Sequence, residues 1–261
     1  MKIGIIGAGN IGGDLARKFI KQGHTVRVSN SRGPESLREF EAETGAIAST
    51  VEDVVNDSEF IVVSVQLGAI PNLKALFSKV PIRVIVIDTS NYYRFRDGDI
   101  PNILDGKYTH SQWVESHLGR AVVKVFNSVG TYSLVNGNRP VGHPERFALP
   151  VAGDNAEHKK VVMELVESIG FDAFDSGSIA DSWRQSPAAP AYLTNLSVAE
   201  LPSALQRAVR DEIEIRDYVL FFGIVAKGGD PNKDGIDIPW LRAEVNKPFE
   251  AVLAEYALLQ K

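Results

Sequence analysis

Apolar residues occur along this chain in short runs that alternate with amphipathic stretches. The runs at 2–6 (KIGII), 25–29 (TVRVS), 46–49 (AIAS), 59–65 (EFIVVSV) and 83–90 (RVIVIDTS) predict strands. The stretches between them, 10–23, 34–45, 51–57 and 70–80, predict helices. Helix punctuation agrees: Pro34 stands near the start of the second helix, and Gly23 and Gly45 close the first two. The run at 59–65 is of the kind buried on both faces of a parallel sheet. The alternation therefore predicts an α/β fold of βαβ units, wound into a doubly wound parallel sheet.

Residues 92–108 break the rhythm and predict a long loop rich in aromatic and charged residues. A helix at 111–119, a strand at 121–127 and a loop through Pro150 follow. Then come a strand at 150–155, a helix at 156–170 and a short strand near 171–176. From 179 onward the strand pattern stops, and 197–229 and 239–261 look mainly helical. The division expected is a doubly wound domain over 1–178 and a helical C-terminal region over 179–261.

Gly7-Ala8-Gly9-Asn10-Ile11-Gly12 follows the first strand and opens the first helix. That is the context in which G-x-G-x-x-G holds a dinucleotide. The first glycine allows the tight turn, the second admits a pyrophosphate, and the third lets the helix pack close to the strand. A glycine-rich turn without a nucleotide is the competing reading.

An acidic residue at the end of the second strand would take the ribose 2′-hydroxyl of NAD. Here Ser29 stands 17 residues beyond Gly12, followed by Asn30, Ser31 and Arg32. All four donate hydrogen bonds, and Arg32 adds a charge that pairs with phosphate. The segment therefore predicts NADP(H) rather than NAD. A capped helix start, with Asn30 or Ser31 as the cap and Arg32 in solvent, is compatible with the same residues.

The blocks IGIIGAGNIGGDLARKF, VSNSRGPESL, IVVSVQLGAIPNL, VIDTSNYY, VVKVFNSV and LPVAGDNAEHKKVVMELVESIGFDAFDSG resemble, in order, one family. It is the group of NADP oxidoreductases described as coenzyme F420-dependent. Its N-terminal domain is related to those of pyrroline-5-carboxylate reductases and of membrane-anchored ferric reductases. The resemblance covers residues 1 to about 190. It implies a pyrophosphate loop at Gly7, Gly9, Asn10, Ile11 and Gly12, and a 2′-phosphate pocket at Ser29, Asn30, Ser31 and Arg32. It implies that Val65, Gln66 and Leu67 pass beside the nicotinamide. Relatives often carry a proline and a bulky aromatic at that point, and Gln66-Leu67 departs from this. Thr89, Ser90 and Asn91 would end the fifth strand at the mouth of the cleft, and Asn127 would face it.

The resemblance implies an enzyme that moves hydride between NADP(H) and a planar acceptor, such as the deazaflavin of coenzyme F420. Reduction of a small imine or carbonyl, a flavin or a ferric substrate is the alternative, and a non-catalytic NADPH sensor is another. Deazaflavin chemistry needs stacking and orientation, whereas a carbonyl or imine also needs a proton donor. Lys124, Tyr92, Tyr93, His110 and Asp181 are the candidates for that donor. The segment Trp183-Arg184-Gln185 either closes over the cleft or plugs the junction with the helices.

Composition narrows the partners. A formal net charge of −5 gives no reason to expect nucleic acid. The chain has no cysteine, so disulfides and thiolate metal sites are excluded. The five histidines are dispersed, and no zinc spacing occurs. No run reaches the ~18 apolar residues of a membrane span, so a cytoplasmic protein with no membrane association is expected. The stretch 218–226 (YVLFFGIVA) would be apolar nearly all round in a helix and must be covered, by the core or by a second copy in a homodimer. Asp230, Asn232 and Asp234 fit the first positions of a calcium loop, but Leu241 stands where the last ligand belongs, and a turn explains them equally.

Overall fold

The computed structural model describes residues 1–227 and 237–260. Its sheet is built from β1 (Lys2–Ile6), β2 (Thr25–Ser29), β3 (Ile47–Ala48), β4 (Phe60–Val63), β5 (Ile85–Asp88), β6 (Val123–Lys124), β7 (Ala148–Ala152) and β8 (Asp172–Gly177). The helices of this part are α1 (Asn10–Lys21), α2 (Arg38–Thr44), α3 (Val51–Asn56), α4 (Lys74–Phe77), α5 (Arg94–Asp97), α6 (Pro101–Leu104), α7 (His110–Leu118), α8 (Thr131–Asn136) and α9 (Ala156–Ser168). The strand order is β3-β2-β1-β4-β5-β6-β7-β8. Neighbours are parallel except β6 and β7. The order reverses between β1 and β4, which makes that crevice the switch point of a doubly wound α/β fold.

Alternation along the strands divides the core into two layers. Ile3, Ile5, Val62 and Ile87 pack with Leu15 and Phe19 of α1 and Val162 of α9. Ile6, Ile61, Val63 and Val86 pack on the other face with Val54 of α3 and Trp113 and Val114 of α7. Every residue of β4 and β5 is buried, as a covered parallel sheet requires.

Several elements differ from the expected ones. The helix expected at 70–80 begins earlier as a 3-10 turn (Leu67–Leu73) with Pro71 inside it, and α4 only completes it. The loop at 92–108 contains α5 and α6, each a single turn. The strand expected at 121–127 pairs only at Val123–Lys124, because Phe126 turns the chain with φ of 65°. The expected loop before Pro150 contains α8, and Pro150 lies inside β7 rather than at its start.

Beyond β8 a 3-10 turn (Ile179–Gln185) leads into a buried connector and then α10 (Leu201–Arg207), α11 (Ile213–Ala226), α12 (Ile238–Val245) and α13 (Phe249–Leu259). α11 contains the apolar stretch. Leu220 and Ile224 pack against Ala188, Tyr192 and Leu193 of the connector and Leu241 and Val245 of α12. Phe222 and Val225 remain exposed. Among the described residues no helix is long and apolar enough to cross a membrane. Asp230, Asn232 and Asp234 lie outside the described residues, while Leu241 is fully buried.

Asp88 and Lys124 are register partners at the ends of β5 and β6, and both side chains are buried. Lys124 Nζ donates to Asp88 Oδ2 at 3.0 Å and to the carbonyl of Ser90. Asp88 also accepts from the Ser90 hydroxyl at 2.6 Å and from Ser111 of α7 at 2.7 Å. Burial raises the Asp88 carboxyl, but the Lys124 charge and the serine bonds outweigh it and hold the carboxyl below its usual range. Lys124 is thus a strut of the sheet, enclosed beneath the cleft. Removing one member of such a pair strands the other charge, at a cost of about 3–5 kcal/mol. Urea unfolding of Lys124→Ala is expected to give a loss of that size, with a much smaller loss in the double variant Asp88→Asn, Lys124→Met.

Candidate active site

The glycine turn has the geometry its sequence predicts. Gly7 adopts φ of 106°, and a Cβ there would lie 2.1 Å from the Ser64 carbonyl. Its N–H donates to the carbonyl of Ser29 at 2.8 Å, tying the ends of β1 and β2 together. A Cβ on Gly12 would lie 1.9 Å from the Gly7 carbonyl, so α1 meets β1 at a distance only glycine permits. Gly9 is different: a Cβ there would have nothing within 4 Å. It is the N-cap of α1, and no side chain caps that end. The first-turn N–H groups and the positive end of the helix dipole therefore open on the cleft. An uncapped helix end beside open space suits the pyrophosphate of a dinucleotide.

The cleft has a volume of about 490 Å³. Gly9, Asn10 and Ile11 line one end, with Val65 and Gln66 after β4 and Ser90 and Asn91 after β5 along its length. Asn127, Tyr93, Arg96, Tyr192 and Leu193 form the far wall. Leu67 is fully buried in the core and does not reach the cleft, because the 3-10 turn starting there rotates its side chain inward. Of the three residues expected beside the nicotinamide, Val65 and Gln66 line the cleft and Leu67 does not.

The segment after β2 is likewise divided. Ser29 is fully buried and its hydroxyl donates to the Ile5 carbonyl at 3.4 Å. As the last residue of β2, paired with Ile6, it faces the sheet and not the cleft. Asn30 shapes the turn: its Oδ1 accepts the Arg32 N–H at 2.9 Å and its Nδ2 donates to the Ser36 hydroxyl at 2.9 Å. Ser31 and Arg32 are exposed, and among the described residues Arg32 forms no ion pair. Of the four residues expected around a 2′-phosphate, Ser31 and Arg32 are thus the exposed ones.

A chain of amides closes the floor. Asn91 Nδ2 donates to the Asn127 carbonyl at 2.8 Å, and Asn127 Nδ2 donates to Asn91 Oδ1 at 3.0 Å and to the Gln185 carbonyl at 2.8 Å. Gln185 Nε2 returns a bond to Asn127 Oδ1 at 2.9 Å. Asn127 therefore stands at the cleft, as expected, with its amide fully engaged in joining β5, β6 and the 3-10 turn after β8. Gln185 is buried in this network, while Trp183 lines a second cavity of about 700 Å³ beside α11. That segment plugs the junction and does not close over the cleft.

Of the expected proton donors only Tyr93 reaches the cleft. Tyr92 is buried and its hydroxyl donates to the Gly98 carbonyl at 2.8 Å. Burial, and then the Lys124 charge, push His110 down to about 3, so the ring is neutral and its Nδ1 accepts the Tyr92 N–H. Asp181 caps its own turn by accepting from Ser178. Tyr93 shares a hydrogen bond with the hydroxyl of Tyr192, a residue that no motif marked. The two lie 99 positions apart in sequence, and only the folded connector joins them.

A strand, glycine turn and helix at the switch point, opening on an elongated cleft, define a dinucleotide-binding oxidoreductase. The family described as NADP oxidoreductase, coenzyme F420-dependent, matches residues 2–92. The protein YjhV of Escherichia coli K12 is 38% identical over 104 residues, which are 40% of this chain and 76% of YjhV. The metalloreductase STEAP3 of Rattus norvegicus is 27% identical over 182 residues, covering 69% of this chain and 35% of that protein. The crystal structure of the hypothetical protein SMa0349 from Sinorhizobium meliloti superposes with a TM-score of 0.59 at 27% identity, over 70% of this chain and 87% of that one. The chain belongs to the family of coenzyme F420-dependent NADP oxidoreductases and is an NADP-dependent oxidoreductase.

The last two glycines of the turn separate structure from binding. Gly12→Ala forces Cβ into the Gly7 carbonyl and is expected to cost at least about 1–3 kcal/mol in denaturant unfolding. Gly9→Ala meets only open space and is expected to leave unfolding unchanged while weakening NADPH binding in a calorimetric titration.

Proposed function

We propose that the chain transfers the hydride of NADPH to a planar unsaturated acceptor held between Asn91, Tyr93, Arg96 and Tyr192. The observation that carries this reading is the continuity of the cleft, from the uncapped end of α1 to the phenolic wall. In this reading the first turn of α1, at Gly9, Asn10 and Ile11, takes the pyrophosphate. Val65, Gln66, Ser90 and Asn91 flank the nicotinamide and its ribose. Bound NADPH supplies the hydride, and the chain orients both partners and excludes water around them. The deazaflavin of coenzyme F420, a flavin and a compound with a C=N or C=O bond all meet the requirement of a flat face. Side chains do not fill the space beyond Val65, which favours turnover over a sensing role.

NADP selection in this reading falls to Ser31 and Arg32. A guanidinium on a dianionic monoester forms charge-assisted bonds that a ribose diol cannot match. NADPH is expected to bind at least about tenfold more tightly than NADH by calorimetry, and Arg32→Ala is expected to erase most of that margin. Equal affinities of the unaltered protein for the two nucleotides would contradict the assignment.

A further inference from the structure

Tyr93 and Tyr192 form an arrangement that hydride transfer alone does not require. Both line the cleft, and their hydroxyls are bonded to each other. The Arg96 guanidinium lies 4.8 Å from the centre of the Tyr93 ring, and its Nη2 donates to the Asn91 carbonyl at 2.7 Å. The phenol is therefore fixed from above by a cation and held beside the amide network at the end of β5. Burial pushes Tyr93 up to about 12 and Tyr192 well above its ordinary value, so both are neutral O–H groups at neutral pH. Asp217 of α11 lines the second cavity and acts electrostatically on both phenols. The exposed Asp211 and Glu214 line that cavity too. Burial, and then the charge of Glu214, push Asp217 up to about 7, against the opposing charge of Arg96. It can therefore exchange protons with water at neutral pH.

We infer that the acceptor is a carbonyl or imine compound, that Tyr93 and Tyr192 protonate its heteroatom, and that Asp217 returns the proton to them from the second cavity. This rests on the hydride-transfer reading above and names its substrate class. The balance is complete: NADPH is oxidised to NADP⁺ as its C4–H pair forms a C–H bond at the acceptor carbon, and the C=O or C=N π pair takes a proton. That proton leaves a tyrosine Oη. The tyrosinate is refilled through its partner hydroxyl and the Asp217 carboxyl, which takes a proton from water. Tyr93 and Tyr192 are the catalytic residues, and Asp217 acts through them.

Two probes separate proton delivery from hydride delivery. Cyclohexanone needs both, whereas N-methylpyrrolinium, a permanently charged iminium ion, needs the hydride only. In Tyr93→Phe and Tyr192→Phe the ratio of ketone to iminium turnover is expected to fall about 100-fold, the size of a general-acid contribution. NADPH affinity, measured by calorimetry, is expected to stay within about threefold, since neither hydroxyl is assigned to the nucleotide. The second readout needs no turnover. In carbon-labelled tyrosine NMR of the NADP⁺ complex, Asp217→Asn is expected to move ionisation of the phenol pair to lower pH, because a nearby negative charge is removed. An unchanged ratio in both phenylalanine variants, an unchanged phenol titration in Asp217→Asn, or reduction of neither probe while NADPH still binds would overturn the inference. Failure of the unaltered protein to bind NADPH would instead overturn the hydride-transfer reading.

Discussion

The contact between α1 and the end of β1 is the constraint on which the remainder of the site depends. No atom but hydrogen fits between Gly12 and the Gly7 carbonyl, so the helix is brought against the strand and its N-terminus is aimed along the crevice. Because α1 carries no side-chain cap, the positive end of its dipole faces the crevice without one. Because the strand order reverses at β1 and β4, no neighbouring connection covers that opening. Packing, helix electrostatics and topology thus meet at one end of one helix.

The cleft floor is held by polar groups instead of apolar ones. The Asp88–Lys124 pair and the Asn127 and Gln185 amides are buried, Asn91 is half-buried, and all are hydrogen-bonded. Desolvating such groups is costly, and an apolar cluster of equal volume would stabilise the sheet at least as well. What the polar network adds is direction. It fixes the chain leaving β5 through Ser90 and Asn91, the chain leaving β6 through Asn127, and the 3-10 turn after β8 through Gln185. The wall of the cleft is therefore rigid where a bound cofactor and acceptor would meet it.

The sequence announced what is local. The glycine turn, the order of strands through β5 and the helical character of the last region follow from periodicity and punctuation within a few residues. Ser29 was legible as a donor but not as an inward-facing one. Its orientation follows from which face the end of β2 turns to the sheet, and that is set by its pairing with β1. Leu67 failed for a related reason, since the 3-10 turn replaces the expected helical register and rotates the side chain into the core. Lys124 within an apparent strand could be read as structural, but its partner Asp88 is visible only once β5 and β6 lie side by side. The Tyr93–Tyr192 bond was out of reach, because the connector holding Tyr192 has neither period nor motif, and α11 and α12 fold it against the cleft.

The proposed function requires an NADP(H) 2′-phosphate at Ser31 and Arg32, with its pyrophosphate at the end of α1. Phosphorus NMR of the NADP⁺ complex across a pH series tests this directly. A guanidinium beside the monoester favours its dianion, so the bound 2′-phosphate is expected to titrate at lower pH than in free NADP⁺, while the pyrophosphate signals shift on binding. A 2′-phosphate that titrates in the complex as it does in free solution would rule out its pairing with Arg32.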